Sequence, residues 1–299
     1  MMQPFTYLPP QIDIHDAGLA TVLTNGLAAN LLICAEDRRE SLLALPEFAA
    51  VGAQIALGQK APYSLVLHNT LQLLIFLPVH PARDHALYKQ VRGWVAPLAG
   101  LKIERLGLHL EGFDEADTTL LAELVLATLL AANVPLPSHK HRSEDPWRYQ
   151  QIAVSPNCVL DLARIYAEAE GNGLARHLAV SPASDLTARS YREWVRQLAQ
   201  SEGWQWHEYD QAQLAERGAG AFIAVARGSE DNQAAMVKLS YCPPNAVRRL
   251  ALVGKGICHD SGGYNLKISG SMYGMHLDMG GSAVALGTLH AISRARLPY

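Results

Sequence analysis

Long apolar runs are missing from this sequence. The longest stretches, such as LQLLIFLPV (71–79), fall far short of the roughly 20 residues a helix needs to cross a bilayer. Cysteine is scarce. Cys34, Cys158, Cys242 and Cys258 are widely spread and form no C-x-x-C pair. Their spacing argues against a disulfide framework or a thiolate zinc site and suits reduced thiols in a cytosolic protein. Neither charge sign dominates: 25 Lys and Arg stand against 28 Asp and Glu, for a formal net charge of −3. That balance gives no electrostatic reason to expect nucleic acid or an anionic membrane as the main partner. The opening residues MMQPFTYLPPQIDIHD have neither the basic start nor the apolar core of a signal peptide. A soluble, cytoplasmic protein is the expectation.

What is present is globular. Hydrophobic residues make up 49% and charged residues 18% of 299 residues, enough chain for two domains. Compact apolar runs at 30–36, 63–69, 71–79 and 102–110 read as strands. Helical patterns lie among them at 83–98 and 114–134, the latter opening on acidic residues that suit the helix dipole. This alternation predicts an α/β layer with a mainly parallel sheet. The polar segment PLPSHKHRSEDPW (135–147) looks like a domain boundary. His139 and His141 within it form an H-x-H pair that reads as solvated surface. The expected division is an N-terminal α/β domain over 1–140, a linker over 141–160 and a larger α/β domain over 161–299 with a central mixed sheet. In that second part, 156–180, 186–203 and 280–295 read as helices, and 221–229, 234–241 and 248–254 as strands.

The chemistry concentrates in LVGKGICHDSGGYNLKISGSMYGMHLDMGG (252–281). Lys255, Asp260, Lys267 and Asp278 stand there among glycines, with apolar segments on both sides in sequence. Buried charges are costly unless paired or bound to a metal. Two aspartates in one site repel, and a divalent cation relieves that repulsion. A lysine ligates a metal only when neutral, which burial and a neighbouring dication favour. From the residues alone three readings stay open. One is a metal-assisted hydrolase site. Another is a phosphate cradle, although the order G-x-x-x-x-G-K-[ST] is absent. The last is a glycine-rich turn closed by two salt bridges.

The motifs VGKGICHDSGG, NLK and MHLDMGGSAVALG resemble the metal-binding core of the leucyl aminopeptidase, or cytosol aminopeptidase, family. The distances from Lys255 to Asp260, Asp260 to Lys267 and Asp260 to Asp278 are 5, 7 and 18 residues, in register with that family. Upstream, GNGLARHLAVSPASDLTARSY, FIAVARGS and KLSY are similar to the approach to its catalytic domain, so the resemblance covers roughly residues 160–299. It implies an α/β metallopeptidase domain and a hydrolase that releases leucine-like N-terminal residues from peptides. It also implies two divalent ions, Mn²⁺ or Zn²⁺, per subunit of a homo-hexamer. Under that resemblance Asp260 bridges the two metals, Lys255 and Asp278 ligate one of them, and Lys267 is the catalytic lysine that polarises the peptide carbonyl. An acidified water shared by the metals attacks, and Lys267 helps to stabilise the oxyanion. Tyr264 and Met272 are candidates for the wall of a pocket for the first residue.

The sequence departs from the family at its end. After the 280–295 helix comes RARLPY, where the family carries a second signature, asparagine-threonine-aspartate-alanine-glutamate-glycine-arginine. That signature would supply an aspartate ligand, the second bridging carboxylate and an arginine. The catalytic domain is therefore expected to be incomplete at its C-terminus and the 299 residues by themselves inactive. The alternative is a family member that binds or regulates without hydrolysing. His259 and His276 read as packing or as hydrogen-bond partners of ligands. Cys258 beside His259 is not read as a nucleophilic pair, since neighbours on a strand point to opposite faces. His68, His80, His85 and His109 carry no pattern and read as surface or core-edge histidines.

Overall fold

The computed structural model describes residues 5–138, 147–156, 158–229 and 233–299. His139 and His141 lie outside the described residues. The chain is an α/β protein of two compact units, one comprising 8–134 and 142–165, the other 1–7, 135–141 and 166–299.

The first unit is built in the order β1 (Gln11–Ile14), α1 (Leu19–Leu23), β2 (Ala29–Ala35), α2 (Arg39–Leu43), α3 (Ala49–Ala56), β3 (Tyr63–Leu67), β4 (Thr70–Leu77), α4 (His85–Gly100), β5 (Arg105–Glu111), α5 (Glu115–Ala132) and β6 (Gln151–Ser155). The strands form one sheet in the order β1-β6-β5-β2-β4-β3. All pairings are parallel except the β3–β4 hairpin. Strand β2, ANLLICA, is buried at every position. A central parallel strand covered on both faces needs such a continuous apolar run. Helix α5 is set by its cap: the Asp114 carboxylate accepts the Asp117 N–H at 2.8 Å, satisfying a donor with no partner inside the helix. Strand β6 falls inside the segment expected to be a linker. It sits between β1 and β5, so this stretch is part of the sheet, and short polar flanks on both sides hid it.

The second unit follows as α6 (Leu162–Val180), α7 (Ala188–Glu202), β7 (Gln205–Asp210), α8 (Gln211–Glu216), α9 (Gly220–Ala226), β8 (Ala235–Ser240) and α10 (Gly280–Arg294). Its strands form a two-stranded antiparallel ribbon, β7–β8. Thr187 and Ser190 cap α7 reciprocally, and Gly203 ends it in the left-handed conformation at φ +70°. The core gathers Leu174 and Leu178 of α6, Val195 and Ala199 of α7, Trp204, and Met279, Ala283 and Leu286 at the start of α10.

Two strand expectations fail here. Residues 221–229 form mostly helix, as α9, because a short apolar run carries no period that distinguishes the two states. Residues 248–254 form no regular element. Their side chains stand open, with Leu250 53% and Val253 97% exposed. A strand exists only through a neighbour that takes its hydrogen bonds, and among the described residues none lies alongside.

Candidate metal centre

The four charges of the glycine-rich stretch come together as two pairs. Lys255 Nζ lies 3.0 Å from Asp278 Oδ1. Lys267 Nζ lies 2.8 Å from Asp260 Oδ2 and 3.0 Å from the Met275 Sδ. The two salt bridges that the residues alone left open are therefore present. The expected burial is not. The Lys255 side chain is 61% exposed and that of Asp260 43%, because the segment before them forms no strand to cover them. Tyr264, the candidate pocket wall, projects fully into solvent, while Met272 is half-buried.

Local backbone chemistry fixes the pairs. The Ser282 N–H donates to the Lys255 carbonyl at 2.8 Å, strapping the lysine segment to the first turn of α10. Only glycine permits this approach. A Cβ on Gly254 would come within 2.5 Å of the Gly281 carbonyl oxygen and the Ser282 Cα, and one on Gly281 within 2.9 Å of the Lys255 nitrogen. The Ser282 hydroxyl donates to the Met279 carbonyl at 2.7 Å and meets the Tyr191 hydroxyl of α7 at 3.1 Å. Asp260 is held by its own turn. Its Oδ1 accepts the Gly262 N–H at 2.8 Å, and Gly262 sits at φ +89°, where a side chain would be strained. The Lys267 N–H returns to the Ser261 carbonyl at 2.9 Å. Tyr191, Ser282 and Met275 were missed in the sequence, since nothing in their spacing distinguishes them from core residues.

The electrostatics follow the contacts. The Lys267 ammonium, helped by the Gly262 N–H, holds the Asp260 carboxyl below the usual carboxylate range, so Asp260 is an anion at neutral pH. Burial pushes the Cys258 thiol up to about 11, which keeps it protonated and a poor nucleophile. Burial likewise pushes the Tyr191 hydroxyl up to about 12. Cys258 and His259 lie on no strand, so the strand argument against their pairing lapses and the protonated thiol replaces it.

Carboxylates are donors that a divalent cation accepts. The 3.0 Å between Lys255 Nζ and Asp278 Oδ1 is that of an ammonium–carboxylate ion pair, so the lysine would have to lose its proton to join them on an ion. Asp260 adds a second carboxylate from the same stretch.

A second acidic group lies in the first unit. His80 Nδ1 is 2.9 Å from Asp117 Oδ2 and 3.8 Å from Asp114 Oδ2, so His80 is the surface histidine expected, with its ring held by Asp117. Arg83 Nη2 reaches Asp117 Oδ1 at 3.2 Å and Asp114 caps α5, so both carboxylates are engaged without an ion.

The glycine-rich loop presents two carboxylates and two lysines around the start of a helix, side chains of the kind that metal-dependent hydrolases use. Comparison with known proteins narrows this. Residues 173–299 match the cytosol aminopeptidase family, catalytic domain. A probable cytosol aminopeptidase of Parasynechococcus marenigrum (strain WH8102) is 30% identical over 262 residues, covering 83% of this chain and 54% of the relative. The tomato leucine aminopeptidase superposes with a TM-score of 0.78 at 18% identity, over 97% of this chain and 60% of that one. The bottromycin maturation enzyme BotP in complex with Mn superposes with a TM-score of 0.63 at 25% identity, over 90% and 57%. The chain belongs to the cytosol aminopeptidase family. It spans between about a quarter and about half of the length of curated relatives that it matches.

Proposed function

We propose that this chain carries the first half of the centre of a metal-dependent aminopeptidase that releases leucine-like residues from the N-termini of peptides. The observation that carries the reading is the pairing of Lys255 with Asp278 and of Lys267 with Asp260 inside the region that matches the family's catalytic domain. Lys255, Asp260 and Asp278 would hold divalent ions. Mn²⁺ and Zn²⁺ are the candidates, and the Mn bound by the similar BotP supports the former. When bound, such ions supply Lewis acidity and an activated water.

The chain's own residues do the rest. Lys267 keeps its ammonium hydrogen-bonded to Asp260 and the Met275 sulfur, which fixes its position. A fixed cation is what a peptide carbonyl needs as negative charge develops on its oxygen. Asp260 stays ionised through the same contact, ready to accept a cation or the substrate's ammonium. The strap from Ser282 to Lys255 keeps the loop against α10, so the donors are oriented before any ligand arrives. Two further expectations belong to this reading: a cytoplasmic location, from the cysteine usage and opening residues, and a hexameric assembly of protein as long as its relatives, from the family resemblance alone. No helix of the described residues is long and apolar enough to cross a membrane.

Hydrolysis of a leucyl-anilide with added Mn²⁺ tests the reading. Lys267→Ala in an active preparation is expected to lower kcat by about 10² to 10³ with Mn²⁺ affinity retained. Unchanged turnover would refute the role of Lys267. A second reading has a specific observation behind it: Lys255, Asp260 and Asp278 are three ligands for two ions, where a closed structural zinc site takes four for one. On that count the 299 residues alone bind a cation without hydrolysing. Saturable Mn²⁺ binding with no turnover would select this reading.

A further inference from the structure

The ribbon β7–β8 has two unlike faces. Trp206, Val237 and Leu239 turn inward and pack on the core of their unit. Glu208, on the same inner side, is taken by Arg192 of α7. The outer face carries Gln205, His207 and Tyr209 from β7 and Met236, Lys238 and Ser240 from β8. The register sets Gln205 opposite Ser240, His207 opposite Lys238 and Tyr209 opposite Met236. Directly opposed side chains on one face lie within about 5.5 Å at Cβ, so the polar tips of four residues converge.

They do so over a shallow surface depression bordered by Gln205, Trp206, His207, Tyr209, Lys238 and Ser240. No carboxylate lines it. Lys238 makes no ion pair among the described residues. Asp210, at the end of β7, is occupied as the cap of α8, accepting the Gln213 N–H at 2.9 Å. At the rim the Arg217 guanidinium lies 4.9 Å from the Tyr209 ring centroid, and the His207 and Tyr209 rings meet edge to face at 4.4 Å. Lys238, a histidine, an amide and a hydroxyl thus share one face of the ribbon, with the Arg217 guanidinium over the neighbouring Tyr209 ring, on a chain whose net charge is negative.

We propose that this face binds a compact oxyanion of phosphate chemistry, with Lys238, His207, Ser240 and Gln205 as its donors and Arg217 as a second cation. Charge complementarity selects the class. A phosphate group offers several acceptor oxygens to donors arriving from both strands, and charge-assisted hydrogen bonds are the strong kind. The anion comes either free or as the phosphate of a nucleotide whose planar base packs on the Tyr209 ring beside the edge-on His207. The site is separate from the glycine-rich loop, and the proposal stands whether or not the chain hydrolyses peptides.

The test is calorimetric titration of the 299-residue chain at low ionic strength with inorganic pyrophosphate, ADP and adenosine. Pyrophosphate is expected to bind saturably, with a Kd on the order of 1 mM or tighter. Lys238→Met is expected to weaken it at least about tenfold. Lys238→Arg keeps the charge and retains the binding. Lys89→Met removes the same charge from an exposed position on α4 and changes nothing. Equal affinity for pyrophosphate and ADP identifies the free anion. Tighter ADP binding that Tyr209→Ala abolishes identifies the nucleotide. The proposal is overturned by adenosine binding as well as ADP, by no saturable pyrophosphate binding up to about 10 mM, or by Lys89→Met costing as much as Lys238→Met.

Discussion

A single methyl group added to Gly287 tests how helices α6 and α10 meet. A Cβ there would overlap the carbonyl oxygen of Gly171, stand 3.1 Å from the Ala175 Cβ and lie 3.2 Å from the Gly171 carbonyl carbon. Ordinary contacts of a Cβ begin near 3.4 Å, so the two backbones must separate. The loss spreads over the layer that holds Leu174 and Leu178 against Ala283 and Leu286. Overpacking of this kind costs about 1–3 kcal/mol or more. Against it stands the gain of about 1 kcal/mol from replacing glycine by alanine within a helix. Gly287→Ala is therefore expected to destabilise by up to about 2 kcal/mol or more net. Gly93, inside α4, has nothing within 4 Å of a built Cβ. The same substitution there is expected to stabilise by up to about 1 kcal/mol. Urea unfolding of the two variants, followed by circular dichroism, gives the comparison. Equal effects of the same sign would show that α6 and α10 do not cross at these glycines and would refute the packing argument.

Three further outcomes are expected. Burial among Glu170, Glu202, Arg294 and Trp204 holds the His290 imidazole neutral, at about 4 against an ordinary 6.5. The unfolded chain then binds the extra proton between those values, so stability is lost as pH falls from about 6.5 to 4, by about 3 kcal/mol. His290→Phe should flatten the fall of melting temperature between pH 7 and 5, and an unchanged slope would exclude His290 as its source. Asp114→Ala removes the α5 cap and should cost about 1 kcal/mol, read as a lower urea midpoint, whereas Asp114→Asn should keep most of it. Leu174→Ala, at a fully buried position, is expected to cost about 2–5 kcal/mol; a loss under 1 kcal/mol would mean that this core is not packed as described.

Much of the first unit was legible because its signals are local. The apolar runs that became β2 and β4 fill two-faced, buried strands, and Asp114 announces α5 in the sequence itself. Where the structure departs, the cause is long-range. The run at 248–254 has the composition of a strand, but a strand is a relation between two segments, and composition describes only one. The stretch that became β6 was obscured by polar flanks although its place lay between β1 and β5. The four charges of the candidate centre stand out among the glycines of 252–281, but only the family resemblance singles them out as a site. That Lys255 would pair with Asp278, and Lys267 with Asp260, depends on the fold of the loop. The strap from Ser282 and the contact with Met275 leave no mark in the pattern at all.

The chemistry of this chain sits on a loop that contributes little to holding the molecule together. Lys255, Asp260 and Lys267 are partly exposed, on irregular backbone, and surface ion pairs add little to a fold. The scaffold around Leu174, Val195 and Leu286 stands without them. A descendant of this chain could therefore exchange any of these charges and still fold, express and pass as a member of the family. The four charges and the packed core are thus separable, and a change in the first is expected to leave the second folded.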